Sequence, residues 1–148
     1  MLSPMNQAKD LTKEAPRSPR TRIGKYIILA RAIDKGRALL AGTPGDYHFD
    51  CPLDNMLFGF KGVKGEEVRQ KLAAGASDQE VAAWIDSQGL SKTPEEIKAW
   101  ADGIENSSPY QNPEKKEWFS GECAKLGLDP AKTSLFDWLE ADDKASYA

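Results

Sequence analysis

The chain has 148 residues, of which 40% are hydrophobic and 29% are charged. This composition is typical of one globular domain and excludes a disordered chain. The formal net charge is −3, and no apolar run is long enough to span a bilayer, so we expect no contact with a membrane. Because residues 1–10 lack an apolar segment behind a basic start, we expect no secretory signal and a cytoplasmic location. Cys51 and Cys123 lack the spacing of a redox motif, and we expect both to be reduced thiols.

Positive charge is concentrated at the start of the chain. Residues 1–40 carry nine basic and three acidic side chains, a net of +6, whereas residues 41–148 carry 11 basic and 20 acidic side chains, a net of −9. Such asymmetry marks either a nucleic-acid arm or an arm that packs on acidic side chains of its own domain or of a second subunit. Because no aromatic residue precedes Tyr26, packing is favoured over nucleic-acid binding, and an arm exchanged between subunits would form a homo-oligomer.

The first 22 residues are predicted to form an extended basic arm. Pro16 and Pro19 fix the backbone and push the preceding residue away from helix, so the stretch 14–22 is expected to run extended. Residues 23–148 are predicted to form a single helical domain. The domain organisation is therefore an arm followed by one body.

The domain is predicted to be all-α, with about six to seven short helices. The first spans about residues 28–41 and ends at Gly42; Gly36 lies in its apolar stripe, where it would allow close approach of another element, and Arg31 and Lys35 lie opposite. Capping boxes begin at Ser77 and Thr93. The other helices are expected near residues 53–60, 65–74, 78–88, 94–106, 113–126 and 130–141. Residues 47–49 are the only segment with a strand-like pattern.

Apolar side chains recur at helical spacing in the later helices, which is typical of a core. Ile97, Trp100 and Ala101 begin such a stripe, and Cys123 lies in another. We therefore interpret the tryptophans as core residues rather than as a stacking surface for bases or sugars. Cys123 is expected to be packed and inert.

Four separated motifs resemble the successive signatures of a family of small bacterial proteins known only as a domain of unknown function. The motifs are Asp10-Leu11-Thr12-Lys13-Glu14, Pro16-Arg17-Ser18-Pro19-Arg20, Ile33-Asp34-Lys35 and Cys51-Pro52-Leu53-Asp54. The resemblance spans residues 9–138. It implies a bacterial, mainly helical, free-standing protein, and it brings no activity, cofactor or catalytic residue with it.

The segment 43–54 gathers the groups best able to do chemistry. It holds the only histidine, one of the two cysteines and three carboxylates. Cys51 followed by Pro52 is typical of a helix start, where the helix dipole increases the reactivity of a thiol. His48 could then serve as its base, and Asp54 is the third catalytic candidate. Against this, the nearby carboxylates oppose negative charge on the sulfur, and Asp50 or Asp54 could simply cap the helix.

A metal site is a second hypothesis for the same segment. His48, Asp50, Cys51 and Asp54 are suitable donor types, but their spacing does not match the paired ligands of structural zinc. A site would need a distant carboxylate or a second subunit to complete it. No metal is assigned, and the sequence identifies no cofactor.

A recognition surface is the third and favoured hypothesis. Basic side chains of the arm and of the first helix, among them Lys35, could hold a small anionic ligand or a protein partner against the segment 43–54. The predicted ligand-binding residues are Arg17, Arg20, Arg31, Tyr47, His48 and Asp50. The alternative is that the arginines pair with acids of the helical body and fix the arm. We therefore expect a small binding or interaction protein, with a small enzyme or metal-binding protein as the alternative.

Overall fold

The computed structural model describes residues 8–147, and these residues form an all-α fold. The described part of the chain contains seven α-helices: α1 (Leu29–Ala41), α2 (Pro52–Lys61), α3 (Gly65–Ala73), α4 (Asp78–Ser87), α5 (Pro94–Glu105), α6 (Lys116–Lys125) and α7 (Leu135–Ser146). The prediction of an all-α protein with six to seven short helices is confirmed. Residues 1–7 of the predicted arm lie outside the described residues.

Two compact units make up the chain, the first ending at Ile97 and the second starting at Lys98. The first unit contains α1 to α4, and the second contains α6 and α7. The strand-like pattern at residues 47–49 forms no strand, and between residues 8 and 147 the only β-pairing is an isolated bridge between Ile23 and Tyr26. No helix in that range is long and apolar enough to cross a membrane.

Helix α1 lies at the centre of the first unit and is buried on both faces. Every residue from Leu29 to Ala38 is buried, and α2, α3 and α4 all pack against the helix. The buried set includes four charged side chains: Arg31, Asp34, Lys35 and Arg37. A charged group removed from water needs a polar partner. The surroundings of α1 must therefore supply several such partners.

Gly36 lets two elements approach α1 closely, as its position in the apolar stripe predicts. A Cβ atom at this residue would lie 2.5 Å from Cδ1 of Leu72 in α3 and 3.1 Å from Cε1 of Phe49. Phe49 in turn packs against Phe58 of α2, with ring centroids 6.0 Å apart. The missing side chain at Gly36 thus seats the segment that leads into α2.

Arg17 fixes the arm to the helical body. Its Nη2 and Nε donate to the two carboxylate oxygens of Asp34 at 3.0 and 3.1 Å, and its backbone N–H donates to the same side chain at 2.8 Å. Nη1 donates to Asp78, the first residue of α4, at 2.9 Å. Asp78 also accepts from Nη1 of Arg37 at 2.8 Å. The chain of alternating charges ties the arm, α1 and α4 together.

The two arginines set the ionisation of Asp78. Burial alone would raise the pKa of this carboxyl, but Arg17 and Arg37 hold the pKa below its ordinary value of 3.8. A carboxyl whose pKa is lowered by folding stabilises the folded state above its unfolded pKa, and this stabilisation is lost as the pH falls through the folded pKa. The ion pairs of Asp78 therefore contribute fully at neutral pH and fade in acid.

Two predicted helix starts are wrong. Helix α6 begins at Lys116 rather than at 113, because the side chain of Asn112 accepts from the N–H of Glu114 and closes a turn first. Helix α7 begins at Leu135 rather than at 130, since Pro130 opens only a short 3₁₀ turn. Ser134 and Asp137 form the capping box of α7. The box was missed because its acidic residue is aspartate instead of glutamate.

The second unit has its own aromatic cluster. Trp118 meets Trp138 edge to face with ring centroids 5.4 Å apart, and Phe119 and Phe136 are fully buried. Trp118 itself is 50% exposed, so the interpretation of the tryptophans as core residues is wrong for this one. Cys123 is also fully buried, and burial raises the pKa of its thiol. The expectation that Cys123 is a packed residue is confirmed.

Replacing Arg17 by methionine should lower the free energy of unfolding by roughly 2–3 kcal/mol at pH 7, because two carboxylates lose their shared partner. The loss should shrink as the pH falls below 3.8, the ordinary pKa of the carboxyl, towards the lower pKa that Asp78 has in the folded protein. Urea unfolding at several pH values measures both effects. Lys13→Ala is the matched control, since that side chain is 81% exposed and lies 4.0 Å from Asp10. An equal loss in both variants would contradict an anchoring role for Arg17.

Replacing Gly36 by alanine should destabilise the protein by about 1 kcal/mol, although alanine is the better helix former, because overpacking outweighs propensity. Gly59 provides the control, since nothing lies within 4 Å of a Cβ atom built there. Gly59→Ala should stabilise the protein by about 0.5–1 kcal/mol. Urea unfolding of both variants checks the opposite signs, and stabilisation by Gly36→Ala would show that the close approach tolerates a methyl group.

Candidate functional site

The segment 43–54 joins α1 to α2, and the arm lies along its first residues. The N–H of Leu11 donates to the carbonyl of Thr43 at 3.0 Å. Gly45 has φ +56°, and a Cβ atom there would lie 2.5 Å from the carbonyl oxygen of Leu11. Glycine is therefore required for the arm to pass so near. The beginning of the segment is held from outside by the arm.

Cys51 occupies the N-cap position of α2, and Pro52 is the first residue of the helix, as the sequence predicts. The side chain of Cys51 is half-buried, and it makes no capping hydrogen bond of its own. Instead, Nζ of Lys35 donates to its sulfur at 3.2 Å. The thiol is thus placed between the positive end of a helix and an ammonium group, in a residue that is only half-buried.

The ammonium of Lys35 is held in place by Asp54. Nζ lies 2.9 Å from Oδ1 of Asp54, and the two side chains are 4% and 0% exposed. Oδ2 of Asp54 accepts the N–H of Asp50 at 2.9 Å. Burial raises the pKa of Asp54, although Lys35 and the N–H groups of Asp50 and Cys51 act in the opposite direction. Lys35, Cys51 and Asp54 form a compact group, which we call the thiol cluster.

Sequence reasoning missed the role of Lys35 in this cluster. The lysine was grouped with the basic side chains that could hold an anionic ligand, and no linear spacing connects residue 35 with residue 51. One signal in the sequence pointed to burial near Lys35: it lies in α1, a helix whose glycine and apolar residues predict that one face is buried. The structure buries the opposite face as well, and Lys35 needs a carboxylate there.

Asp50 is held in a strained conformation beside the thiol cluster. Its φ is 64°, in the left-handed region that non-glycine residues seldom adopt. Nδ2 of Asn55 compensates by donating to the carbonyl and the carboxylate of Asp50 at 3.1 and 2.9 Å, and to the carbonyl of Cys51 at 3.0 Å. Asp50 itself is exposed. The turn before Cys51 is therefore preorganised rather than adaptable.

The predicted catalytic set is only partly brought together. Cys51 and Asp54 meet through Lys35. His48 is exposed, and no hydrogen bond or ion pair within residues 8–147 joins it to Cys51 or Asp54. A histidine general base must reach the proton that it removes. The geometry therefore does not support the pairing of His48 with Cys51.

Arg17 and Arg31, two of the predicted ligand-binding residues, make contacts within the fold. Arg17 is engaged by Asp34 and Asp78. Arg31 is buried, donates to the carbonyl of Arg17 at 3.4 Å and lies over the ring of Tyr47 at 5.4 Å. The remaining predicted residues are placed as follows: Arg20 and Tyr47 are half-buried, and His48 and Asp50 are exposed. For Arg17, these contacts agree with the alternative in which an arginine pairs with acids of the helical body and fixes the arm.

No metal-binding group is found in the segment 43–54 among the described residues, and two cavities of the first unit are lined by other residues. Among residues 8–147, no three His, Cys, Asp or Glu side chains converge where they could hold a metal ion. One cavity of about 240 Å³ lies beside Tyr26 and Asp86. Another of about 320 Å³ lies beside Lys71 and Trp84. The segment presents an exposed surface with a half-buried thiol.

Fold and site together define a small all-α protein with a charged central helix and a cysteine at the start of its second helix. The chain belongs to the family described as a domain of unknown function (DUF5069), whose sequence profile matches residues 13–145. The predicted kinship with a family of unknown function is confirmed. No curated protein matches the chain.

Removing one member of the Lys35–Asp54 pair should cost roughly 3–5 kcal/mol, because the other charge is left buried and unpaired. Lys35→Met and Asp54→Leu should each show this loss in urea unfolding. The double variant should recover most of it, since an apolar pair can replace a buried ion pair at little cost. Additive losses in the double variant would contradict direct coupling between the two side chains.

Proposed function

We propose that the segment 43–54 is the functional surface of the protein and that Cys51 is its reactive group. On this proposal the protein captures a thiol-reactive molecule, such as an electrophile or a disulfide, by forming a covalent bond to Sγ. The observation that carries the proposal is the ammonium of Lys35, which lies 3.2 Å from the sulfur of a half-buried cysteine. Cys123 is fully buried and offers no comparable group.

The surroundings of Cys51 supply what a nucleophilic sulfur needs. The N-terminus of α2 and the ammonium of Lys35 both favour negative charge on the sulfur while it attacks. With a disulfide, Sγ would form a bond to one sulfur, the existing S–S bond would break, and the second sulfur would leave with the electron pair and take up the proton of the thiol. Asp54 keeps the ammonium directed at Sγ. The negative charge of Asp54 also weakens the electrostatic effect of the ammonium on the sulfur.

The geometry supports capture of a molecule better than turnover. His48, the predicted base, is exposed, and no hydrogen bond or ion pair within residues 8–147 joins it to the thiol cluster. A covalent adduct needs a nucleophile and an open side, whereas repeated catalysis also needs a group that can carry protons. Cys51 has the first two features.

A second candidate function is non-covalent recognition of a protein partner at the same surface. Its support is the turn at Asp50, which is strained, held by Asn55 and exposed. Strained and preorganised turns are typical of binding sites. A small anionic ligand receives less support, because Arg17 is engaged by carboxylates and Arg31 is buried. The anchoring of Arg17 likewise weighs against a free nucleic-acid arm.

A reducing compartment fits both candidates. Cys51 and Cys123 are free cysteines, and unpaired thiols persist most readily where cellular reductants keep them reduced. This supports the cytoplasm as the location. In such a compartment Cys51 would normally be reduced, and it would be oxidised only when the surroundings become more oxidising.

Cys51 should react with iodoacetamide at pH 7 about tenfold faster than Cys123, and faster than free cysteine, because its sulfur is accessible and lies beside an ammonium. Peptide mass spectrometry after timed labelling measures both cysteines in one sample. Cys123 is the internal control, since burial raises the pKa of its thiol. Labelling of Cys51 no faster than free cysteine would contradict the proposal.

Two variants separate the contributions to this rate. Lys35→Met should slow the labelling of Cys51, since the ammonium is lost. Asp54→Asn should accelerate it, because the ammonium remains and its counter-charge is removed. Circular dichroism confirms that each variant is folded at the labelling temperature. Equal rates in both variants and in the natural protein would show that Lys35 does not act on the sulfur.

A further inference from the structure

We infer that Lys35 and Cys51 form an oxidative modification site, at which hydrogen peroxide drives formation of a covalent bond between Nζ and Sγ. This inference deepens the proposed function and rests on it, because the sulfur must first react with an oxidant. The product is a sulfenamide that joins α1 to the start of α2. The site needs no cofactor and no second cysteine.

The two atoms are already in contact. Nζ lies 3.2 Å from Sγ, and the lysine side chain is 4% exposed. A buried lysine cannot move far from the sulfur, since Asp54 holds it at 2.9 Å. An amine fixed beside a sulfur competes well with molecules that must arrive from solution. Because Cys51 is half-buried rather than fully buried, a molecule as small as peroxide can approach it.

The first step oxidises the thiol and reduces the peroxide. Sγ attacks one oxygen of hydrogen peroxide, the O–O bond breaks, and the other oxygen leaves as water after taking up the thiol proton. Cys51 is then a sulfenic acid. Sulfenic acids condense with thiols or with nitrogen nucleophiles, which makes the next step chemically ordinary.

The second step forms the nitrogen–sulfur bond. The ammonium of Lys35 gives one proton to the carboxylate of Asp54, and the resulting amine attacks Sγ. The S–O bond breaks, and the hydroxyl leaves as water with a second proton from the nitrogen. Asp54 is suited to accept the first proton, because burial raises the pKa of its carboxyl. The product carries neutral groups where a buried ion pair stood.

The consequence is a covalent lock on the functional surface. The link would fix Cys51 to the central helix and remove its sulfur from reaction with other molecules. Thiol reductants would restore the cysteine by attack on the sulfur, since sulfenamides are reversible products. The site would therefore turn the reactivity of Cys51 off under oxidation and on again under reduction.

The test treats the full chain with hydrogen peroxide and analyses it by mass spectrometry without reductant. We expect the intact protein to lose the mass of two hydrogens, and the peptides that contain Lys35 and Cys51 to appear joined. Dithiothreitol should separate them. Cys51→Ser and the conservative Lys35→Arg should form no link, whereas Cys123→Ser, the matched control for the other cysteine, should form it fully.

Dimedone, which traps sulfenic acids, separates the two possible failures. If dimedone labels Cys51 and no joined peptides form, the link is overturned and the reactive thiol stands. If Cys51 reacts neither with dimedone nor faster than free cysteine with iodoacetamide, the proposed function fails as well. A link that also forms in Cys51→Ser would overturn the assignment to this pair.

Discussion

Burial of four charged side chains on α1 is the constraint on which the first unit depends. Arg31, Asp34, Lys35 and Arg37 are each no more than 4% exposed, and a charge taken from water is tolerated only with a partner in good geometry. The partners come from three separate places: the arm, the start of α2 and the start of α4. Each element is thus required for α1 to be buried at all. Such ion pairs add little net stability over apolar packing. We infer that their role is to favour one arrangement of the arm, α2 and α4 around α1 over other compact arrangements.

This constraint also explains why chemistry is concentrated at the start of α2. Asp54 is in the first turn of α2 because Lys35 needs a carboxylate there, and its placement brings Cys51 beside the same ammonium. Gly36 contributes by seating Phe49 against α1 and α3. The thiol is therefore positioned by side chains whose first role is to bury a helix. The ion pair that allows α1 to be buried therefore also fixes the ammonium of Lys35 next to the sulfur of Cys51.

Local signals predicted most of the helices and little of the site. Ser77 and Thr93 with their glutamates marked two helix starts correctly, and Gly42 marked an end, because caps act over three or four residues of sequence. Pro130 led to a wrong helix start, because a proline after a capping residue is found at the start of a 3₁₀ turn as well as at the start of an α-helix. Lys35 and Cys51 are brought together by tertiary packing, which no local spacing records. For Arg17, the alternative to ligand binding is an ion pair with the helical body, and its observed contacts are of this kind. The sequence did not show that Asp34 and Asp78 would be its partners.

The arm and the thiol are connected through α1. Arg17 holds Asp34, and the next residue, Lys35, holds Asp54 and Cys51 on a helix that cannot rotate without unpairing both charges. Arg31 adds a second connection, since it touches the carbonyl of Arg17 and the ring of Tyr47. A rigid helix carries such coupling because its residues move as one body. Loosening the arm would therefore reduce the precision with which the ammonium faces the sulfur, even though the arm contributes no atom to the thiol cluster.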